Sequence, residues 1–533
     1  MDTQIKLTYT FLALLGGWLL VRFFRRGLAA TALRGPPSTS FLLGATAELM
    51  KAKSSAHVQE SWAQMYGPVF SLPSSFGRSK VILLDPRAVA HVFAQDTYEY
   101  QKLPVSHAFI ERALGRNVLS MERDEHRRQR RALAPAFNNA AIRRASQTFF
   151  DAAHKVKDMW LAKLAQAGDG SITFNVPDIL DCIGLAAFGH DFGAITNGAA
   201  APVAAAFEAF RTVPNSWFLH ALRAVATEFP VVLRVPNKRT TTFDRLRAVT
   251  TEVASTLLDR ARQDLTEDLG DEGLEKSLLG LLVKSSEPDA AVKLTKDEMI
   301  GHVPSMAVSA FLNALCYTLT LHPLKWALIR LCQQPEKQRR LRDELRSECD
   351  GADPTWDQLA TGLPYLSACV HETLRLHASI PQTERVAMKD DVLPLTAPMT
   401  DAYGRIVNEV VIAKGTKIII PNAAMNLTKT YWGADARQFV PERWLDEERM
   451  SCVKDLPGYQ HLLTFGDGPR NCLGKLFAVT EFKAVLATLM QHFEFELAEG
   501  PDIEFTLHPG VVSRPKPVGA KEPTVMFRVK RAE

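Results

Sequence analysis

Apolar residues recur every three or four positions over long stretches of the chain, which is the spacing of an amphipathic helix. This pattern predicts helices at 88–95, 122–134, 140–164, 178–188, 242–265, 335–346, 365–377 and 475–491. Short runs rich in valine, isoleucine and phenylalanine predict strands at 69–72, 80–84, 410–412 and 417–420. The chain is therefore predicted to be mainly α with a small β region.

The N-terminal stretch differs from these helices because it is apolar on all sides. Residues 7–21 carry no charge, and the apolar character continues to residue 24. Arg22, Arg25 and Arg26 follow, whereas a single Lys6 precedes the stretch. The excess of positive charge on the C-terminal side predicts a transmembrane helix that leaves the rest of the chain in the cytosol.

A cleaved signal peptide is the alternative, since residues 30–32 (Ala-Thr-Ala) are similar to a cleavage site. Such peptides carry their positive charge before the apolar core, and here it lies after it, which favours a retained anchor. We therefore predict residues 1–34 to be a membrane anchor with its basic flank, and residues 35–533 to be a single domain.

Composition excludes some classes of function. The formal net charge of +4 is small for 533 residues and does not favour nucleic-acid binding. The seven cysteines show no paired spacing, which argues against a disulfide framework and suits a reducing compartment. The chain also has no glycine-rich dinucleotide fingerprint, so a nicotinamide cofactor would have to act through a separate protein.

One cysteine, Cys472, lies in a loop that suits a thiolate bound to a large anionic cofactor. Residues 465–474 read FGDGPRNCLG. Gly466 and Gly468 allow a tight turn and the close approach of a flat ligand, and Arg470 offers a cationic fork for a carboxylate. The predicted helix that follows places Cys472 near its positive end, which favours the thiolate.

The spacing F-x-x-G-x-R-x-C-x-G is similar to the haem-binding loop of the cytochromes P450, and the chain resembles this family from about residue 36 to the 510s. The resemblance implies the cytochrome P450 fold after one N-terminal transmembrane helix, with haem b as cofactor and Cys472 as axial ligand of its iron. It also implies that the remaining motif positions bind the cofactor, namely Phe465, Gly466, Gly468, Arg470 and Gly474.

The resemblance also implies a buried network of three charges. Glu372 and Arg375 are three residues apart on one face of the predicted helix 365–377, and Arg443 follows in a Pro-Glu-Arg-Trp segment. In the family such a Glu-Arg-Arg network is structural and supports the cysteine loop. A solvated pair on an exposed helix face is the alternative.

Further cations resemble partners of the haem propionates. His126 and Arg130 are four residues apart on the predicted helix 122–134, and Arg385 follows Pro381 by four residues. Another side of that helix carries Arg127, Arg128 and Arg131, which form either a basic patch for an acidic electron-transfer partner or a solvated charged face.

The chain departs from the family in its central helix. Residues 295–298 form a capping box, but the expected acid and threonine that deliver protons are missing, since no Asp or Glu occurs between Glu298 and Glu336. Only Thr320 aligns with a family threonine, and the proton-delivery pair is otherwise not identifiable.

Three explanations for this departure remain open. The region 301–325 is a gene-model error in which intron was read as exon, or the enzyme handles or rearranges peroxides and needs no such protons. Alternatively, a polar side chain of this region holds a water molecule that delivers them, the candidates being Ser305, Ser309, Asn313 and Thr320.

Taken together, the chain resembles a fungal, microsomal haem-thiolate monooxygenase of secondary metabolism. The resemblance implies insertion of one oxygen atom from O2 into a lipophilic small molecule. It implies electrons from NADPH through NADPH-cytochrome P450 reductase, with cytochrome b5 as an additional partner. It implies a single-pass protein of the endoplasmic reticulum membrane. The alternatives are a peroxide-dependent or isomerase-type haem-thiolate enzyme and a haem-binding protein without catalysis.

Overall fold

The computed structural model describes residues 30–168, 170–174, 225–227, 238–266, 278–285, 292–302, 321–508 and 514–533. These residues divide into two units. The first unit contains the described part of Met1–Leu103, together with Gln382–Pro421 and Asp467–Pro469. The second contains the described parts of Pro104–Pro381, Asn422–Gly466 and Arg470–Glu533.

Helices account for most of the regular structure. In chain order they are α1 (Thr46–Lys51), α2 (Ser55–Tyr66), α3 (Pro86–Ala94), α4 (Pro104–Leu114), α5 (Arg123–Leu133), α6 (Asn139–Gln166), α7 (Lys238–Thr266), α8 (Leu278–Lys284), α9 (Leu321–Gln333), α10 (Pro335–Cys349), α11 (Pro364–Leu376), α12 (Asn422–Leu427), α13 (Lys429–Trp432), α14 (Glu447–Ser451) and α15 (Lys475–His492). A further helical segment covers 296–302.

The strands are shorter and fall into four small sheets. They are β1 (Val69–Pro73), β2 (Ser79–Leu83), β3 (Tyr100–Gln101), β4 (Ser171–Phe174), β5 (Thr383–Ala387), β6 (Asp391–Thr400), β7 (Ile406–Ile412), β8 (Lys417–Ile420), β9 (Phe493–Leu497), β10 (Phe505–His508), β11 (Arg514–Pro517) and β12 (Phe527–Arg531).

The first unit is organised around a five-stranded sheet in the order β1-β2-β8-β5-β3. β2 and β8 run parallel, and the other neighbouring strands are antiparallel. Branched residues such as Ile82, Ile418 and Ile420 are fully buried, as expected for strands with a covered face. β6 and β7 form a separate hairpin.

The second unit packs its helices around α15, which lies against α6. Most of α15 is buried, from Phe482 to Met490. Trp160 of α6 is also fully buried, and its ring lies 5.4 Å from that of Phe493 at the start of β9. Because α15 begins immediately after the cysteine loop, this core gives the loop a rigid support.

The structure confirms the mainly helical character with small sheets and most of the predicted elements. The predicted helix 178–188 lies outside the described residues. Several short strands were not predicted, among them β9 to β12, because four or five residues with mixed polarity give too short a pattern.

No helix within the described residues is both long and apolar enough to cross a membrane. The predicted anchor helix, which falls within residues 1–29, lies outside the described residues.

Candidate functional site

The cysteine loop is closed by backbone hydrogen bonds. A 3₁₀ turn ends at Phe465, where the N–H of Gly466 donates to the carbonyl oxygen of Leu463 at 2.9 Å. The N–H of Cys472 then donates to the carbonyl oxygen of Phe465 at 2.8 Å. Gly466 has φ +67°, a left-handed conformation that strains any residue with a side chain. The loop therefore returns on itself before α15 begins at Lys475.

Gly468 is constrained by close packing against a neighbouring backbone in the first unit as well as by its own conformation. Its φ is +68°, and a Cβ at this position would lie 2.1 Å from the carbonyl oxygen of Phe93, at the end of α3. A backbone oxygen cannot move aside as a flexible side chain would. The second glycine of the motif is therefore required by close backbone packing as well as by conformation.

The Cys472 thiol is subject to opposing electrostatic effects. Its side chain is accessible, yet the protein around it raises the pKa of the thiol by desolvation. The backbone N–H of Gly474 and the positive charges of Arg130 and Lys475 lower the pKa of the thiol, but by less than desolvation raises it. Burial thus outweighs the effect expected from the N-terminus of α15.

Two arginines connect the cysteine loop to α5. Arg130 donates from Nη1 to the carbonyl oxygen of Asn471 at 2.8 Å and from Nη2 to Asn471 Oδ1 at 2.5 Å. Arg470 of the loop donates to the carbonyl oxygen of Met121 at 3.1 Å and forms an ion pair with Glu122, and both of these residues lie just before α5. The predicted cations therefore lie beside Cys472, but each has a partner that the sequence did not indicate.

The remaining predicted propionate partners are both buried. His126 lies on α5, one turn before Arg130, and is 4% exposed. Arg385 lies on β5 in the first unit, where Nη2 donates to Asp96 at 3.2 Å. Its buried Nε has no hydrogen-bond partner among the described residues. A buried guanidinium nitrogen without an acceptor is suited to an additional anionic group.

The Glu372 carboxylate is fully buried and accepts five hydrogen bonds. Arg375 donates to both of its oxygens at 2.8 Å, and Arg443 Nε donates to Oε1 at 3.0 Å. The Trp444 indole N–H and the Val440 backbone N–H supply the other two, at 3.0 and 2.9 Å. The structure thus brings Glu372, Arg375 and Arg443 together as a buried network rather than as a solvated pair.

The two guanidinium groups also satisfy their remaining donors with backbone carbonyl oxygens, as a buried charge requires. The carbonyl acceptors for Arg375 are Asn426 (3.0 Å), Ala436 (2.5 Å) and Gln438 (3.3 Å), and those for Arg443 are Trp432 (3.2 Å) and Asp435 (3.1 Å). Arg443 Nη1 also donates to the Asp435 carboxylate at 3.3 Å.

Asn426 links this network to the cysteine loop. Its Oδ1 accepts from the backbone N–H of Leu463 at 3.0 Å, and its Nδ2 donates to Thr464 Oγ1 at 2.9 Å. Thr464 in turn donates to the carbonyl oxygen of Leu374 on α11 at 2.7 Å. The turn that precedes Phe465 is therefore held by the helix of the charged network. The sequence did not indicate Asn426, because a single asparagine carries no recognisable pattern.

The start of the central helix contains the predicted capping box. The N–H of Thr295 donates to Glu298 Oε2 at 2.8 Å, and the N–H of Glu298 donates to Thr295 Oγ1 at 3.2 Å. The buried Glu298 carboxylate also pairs with Arg128 and accepts from Gln129 Nε2 at 2.9 Å. Burial raises the pKa of Glu298, but these hydrogen bonds outweigh it and lower the pKa to about 2.

Arg128 is therefore engaged in an internal ion pair and is not a free member of a basic patch. Thr320, the weak candidate for proton delivery, lies outside the described residues, as do the other polar candidates of that region.

These observations fit an anionic porphyrin with a thiolate ligand. An accessible cysteine lies in a glycine-shaped loop, the guanidinium groups of Arg130 and Arg470 are beside that loop, and a buried network supports it. Within the first unit, the buried Nε of Arg385 has no hydrogen-bond acceptor among the described residues.

Comparison with known proteins gives the same family. The cytochrome P450 family model matches residues 34–521. A cytochrome P450 monooxygenase (claW) of Ampulloclitocybe clavipes is 39% identical over 522 residues, which cover 96% of this chain and 95% of that protein. Cytochrome P450 monooxygenase 128 of Postia placenta is 34% identical, covering 91% and 89%. The ganoderic acid synthetase of Ganoderma lucidum is 30% identical, covering 91% of each. The chain belongs to the cytochrome P450 family and is an oxidoreductase, a monooxygenase of that family.

Proposed function

We propose that this monooxygenase binds haem b through the thiolate of Cys472 and inserts one oxygen atom from O2 into a lipophilic small molecule. The observation that carries the proposal is the accessible Cys472 on a loop supported by a buried charge network. When bound, the haem would supply the redox chemistry that activates oxygen, and a thiolate ligand favours cleavage of the O–O bond.

The role of the protein at Cys472 is to position the sulfur and to lower the cost of its negative charge. Burial alone favours the neutral thiol, and a coordinating metal ion deprotonates a thiol outright. The Gly474 N–H and the charges of Arg130 and Lys475 act in the same direction as the metal.

The charge network has a structural role in this proposal. Arg375 donates a hydrogen bond to the backbone carbonyl oxygen of Asn426, and the Asn426 side chain accepts one from the backbone N–H of Leu463. Two residues after Leu463, the backbone carbonyl oxygen of Phe465 accepts a hydrogen bond from the N–H of Cys472. Movement of the Glu372 network would therefore change the position of the sulfur.

The cations form the proposed binding set for the two haem carboxylates. Arg130 and Arg470 lie beside the cysteine loop, and charge-assisted hydrogen bonds to a carboxylate are roughly twice as strong as neutral ones. His126 and Arg385 complete the set that the family resemblance implies. The Arg385 Nε, which lacks an acceptor among the described residues, supports its inclusion.

Electrons are proposed to come from NADPH through NADPH-cytochrome P450 reductase, with cytochrome b5 as a second donor. Residues 1–34 are proposed to anchor the chain in the endoplasmic reticulum membrane, with residues 35–533 as the haem-thiolate domain in the cytosol. The name of the Ganoderma lucidum relative, a ganoderic acid synthetase, supports a role in secondary metabolism.

A second candidate is peroxide-driven or isomerase chemistry, which the missing acid–threonine pair after Glu298 favours. Sequencing the transcript across codons 301–325 decides first whether this region is genuine. If the message restores the pair, the reductase-driven reaction is supported. If it does not, turnover of an alkoxycoumarin probe with hydrogen peroxide is compared with turnover by NADPH and the reductase. Peroxide turnover without a response to the reductase would select the second candidate.

The haem-thiolate assignment is tested by replacing its ligand. Cys472→Ala and Cys472→His are expected to abolish the absorption band of the ferrous carbon monoxide complex that marks thiolate ligation. The matched control is Cys452→Ala, because Cys452 is also accessible but lies at the C-terminal end of α14, outside the cysteine loop. A normal band and full turnover in the Cys472 variants would exclude the assignment.

A further inference from the structure

A row of aromatic rings begins at the cysteine loop. The Phe465 ring lies 5.9 Å from that of Tyr459, centroid to centroid, and the Tyr459 ring lies 5.9 Å from that of His371. The row continues from His371 to Trp444 at 5.2 Å and from Trp444 to Trp432 at 5.7 Å. We define these five residues as the aromatic row. All of them lie in the second unit, and each spacing falls within the range of direct ring contact, about 4.5–7 Å.

The aromatic row connects the proposed iron ligand to the surface of this unit. The carbonyl oxygen of Phe465 accepts from the Cys472 N–H at 2.8 Å, so the first ring belongs to a residue that is bonded to the cysteine backbone. Trp444 is partly exposed, whereas Trp432 beyond it is only 5% exposed. Electron transfer between side chains weakens steeply with distance, and rings in contact keep every step short. The row is therefore a short path for an electron between Trp444 and the cysteine loop.

The two tryptophans differ in the charges around them. The Trp444 indole N–H donates to the Glu372 carboxylate at 3.0 Å. The Trp432 ring instead lies 4.9 Å from the Arg375 guanidinium, and its buried indole N–H has no acceptor among the described residues. An indole that loses an electron becomes a cation, which a neighbouring carboxylate stabilises and a neighbouring guanidinium destabilises. Trp444 is therefore the more easily oxidised of the two.

The two rings between Phe465 and Trp444 do not hold the charge themselves. Burial raises the pKa of Tyr459, which makes the loss of its phenol proton less favourable. Burial also lowers the pKa of His371 to about 3, so its ring stays neutral and adds no positive charge beside Trp444. Desolvation thus keeps both groups neutral, and the oxidation comes to rest at Trp444.

We propose that Trp444 donates an electron through the aromatic row to the haem site when that site is oxidised without substrate. The inference rests on the proposed haem at Cys472 and adds a protective function to it. A peroxy acid that gives one oxygen atom to the haem site leaves as its carboxylic acid, and the site then lacks two electrons. Trp444 supplies one of them and becomes an indole radical cation whose N–H stays hydrogen-bonded to Glu372. A reductant such as ascorbate then returns one electron to Trp444.

The test uses the full-length, haem-loaded chain without substrate, mixed with m-chloroperbenzoic acid and freeze-quenched. Electron paramagnetic resonance records the radical, and ring-deuterated tryptophan identifies it in the unaltered protein. Trp444→Phe removes the proposed donor. Trp432→Phe is the matched control, because Trp432 lies in the same row beside a guanidinium instead of a carboxylate. Tyr459→Leu interrupts the row between the loop and Trp444.

Two further measurements separate a lost donor from a damaged fold. Trp444→Phe also removes a hydrogen bond to Glu372, so haem content and the ferrous carbon monoxide band are measured for every variant. Mass spectrometry of the unaltered protein after repeated peroxy acid treatment locates oxidised tryptophan without any substitution. We expect the oxidation at Trp444 rather than at Trp432, and less of it when ascorbate is present.

We expect deuterated tryptophan to narrow the radical signal of the unaltered protein. The signal should be lost in Trp444→Phe, weakened in Tyr459→Leu and retained in Trp432→Phe, and the peroxy acid should bleach the haem faster in Trp444→Phe than in the control. A normal carbon monoxide band without a tryptophan radical would overturn the inference and leave the haem site standing. A signal that persists in Trp444→Phe, or oxidation at Trp432 instead, would also overturn it. Absence of the band from the unaltered protein would refute the haem-thiolate assignment and the inference together.

Discussion

Replacement of Glu372 by glutamine tests whether the buried charge network supports the cysteine loop. The change keeps the shape of the side chain and removes its charge. One carboxylate oxygen becomes an NH2 group, which faces two or three N–H donors from Arg375, Arg443 and the neighbouring backbone or indole. Donors then meet donors at a fully buried position.

The structure allows a rough magnitude for this loss. Two buried guanidinium groups would lose the carboxylate that they share, and Arg443 would keep only its 3.3 Å ion pair with Asp435. Removing one partner of a buried ion pair costs about 3–5 kcal/mol, because the other charge stays buried and uncompensated. Domain stabilities are typically about 5–15 kcal/mol, so Glu372→Gln should remove a large share of the total.

The assay follows both the fold and the loop. Haem content per protein is measured after purification, and urea unfolding is followed by haem absorbance and by tryptophan fluorescence. We expect Glu372→Gln to contain less haem and to release it at lower urea than the wild type, since Asn426 and the turn at Leu463 depend on Arg375.

The matched control is an exposed ion pair. Lys530 and Glu496 are 2.7 Å apart and are 43% and 41% exposed, so Glu496→Gln should cost less than about 1 kcal/mol. Wild-type haem content and urea midpoints in Glu372→Gln would refute the reasoning, as would an equal loss in the control.

Three further changes test individual contacts. Gly468→Ala should reduce haem content, because its Cβ would lie 2.1 Å from the Phe93 carbonyl oxygen. The control Gly519→Ala has a similar positive φ but open space around its Cβ, so it should lower the free energy of unfolding by only about 1–2 kcal/mol. Similar losses of haem and stability in both variants would show that the close contact at Gly468 is unimportant. The Glu298 pKa falls from its ordinary value of 4.5 to about 2 on folding, so the stability it contributes is present above pH 4.5 and is lost as pH falls toward 2. Glu298→Gln should therefore flatten the stability–pH curve in that window, and an unchanged curve in acid unfolding would contradict the assignment. Asn426→Ala should speed haem transfer to apomyoglobin, since it releases the turn before Phe465, and an unchanged transfer rate would mean that this link does not hold the loop.

Local patterns in the sequence were sufficient for the elements nearest the site. The helix after the cysteine loop, the helix that carries Glu372 and Arg375, and the capping box at Thr295 all follow from residues within one or two turns of each other. Helical periodicity and capping act over three or four residues, so a contiguous sequence contains the information they need.

The partners of the charged residues required the tertiary structure. Arg128 and Glu298 are 170 positions apart, and nothing in either segment shows that they form an internal pair. Arg470 and Arg130 were predicted as cations of the site, but their contacts with Glu122 and Asn471 depend on how α5 lies against the loop.

The sequence by itself determined the family and the mainly helical fold, because these depend on short motifs and local periodicity. Only the tertiary structure decided which charges are buried, that burial raises the pKa of the Cys472 thiol despite the helix that follows it, and that residues 31 and 32 bind the hairpin at Ala402 and Val411. The physical reason is that desolvation and hydrogen-bond pairing depend on neighbours distant in the sequence, which no local pattern specifies.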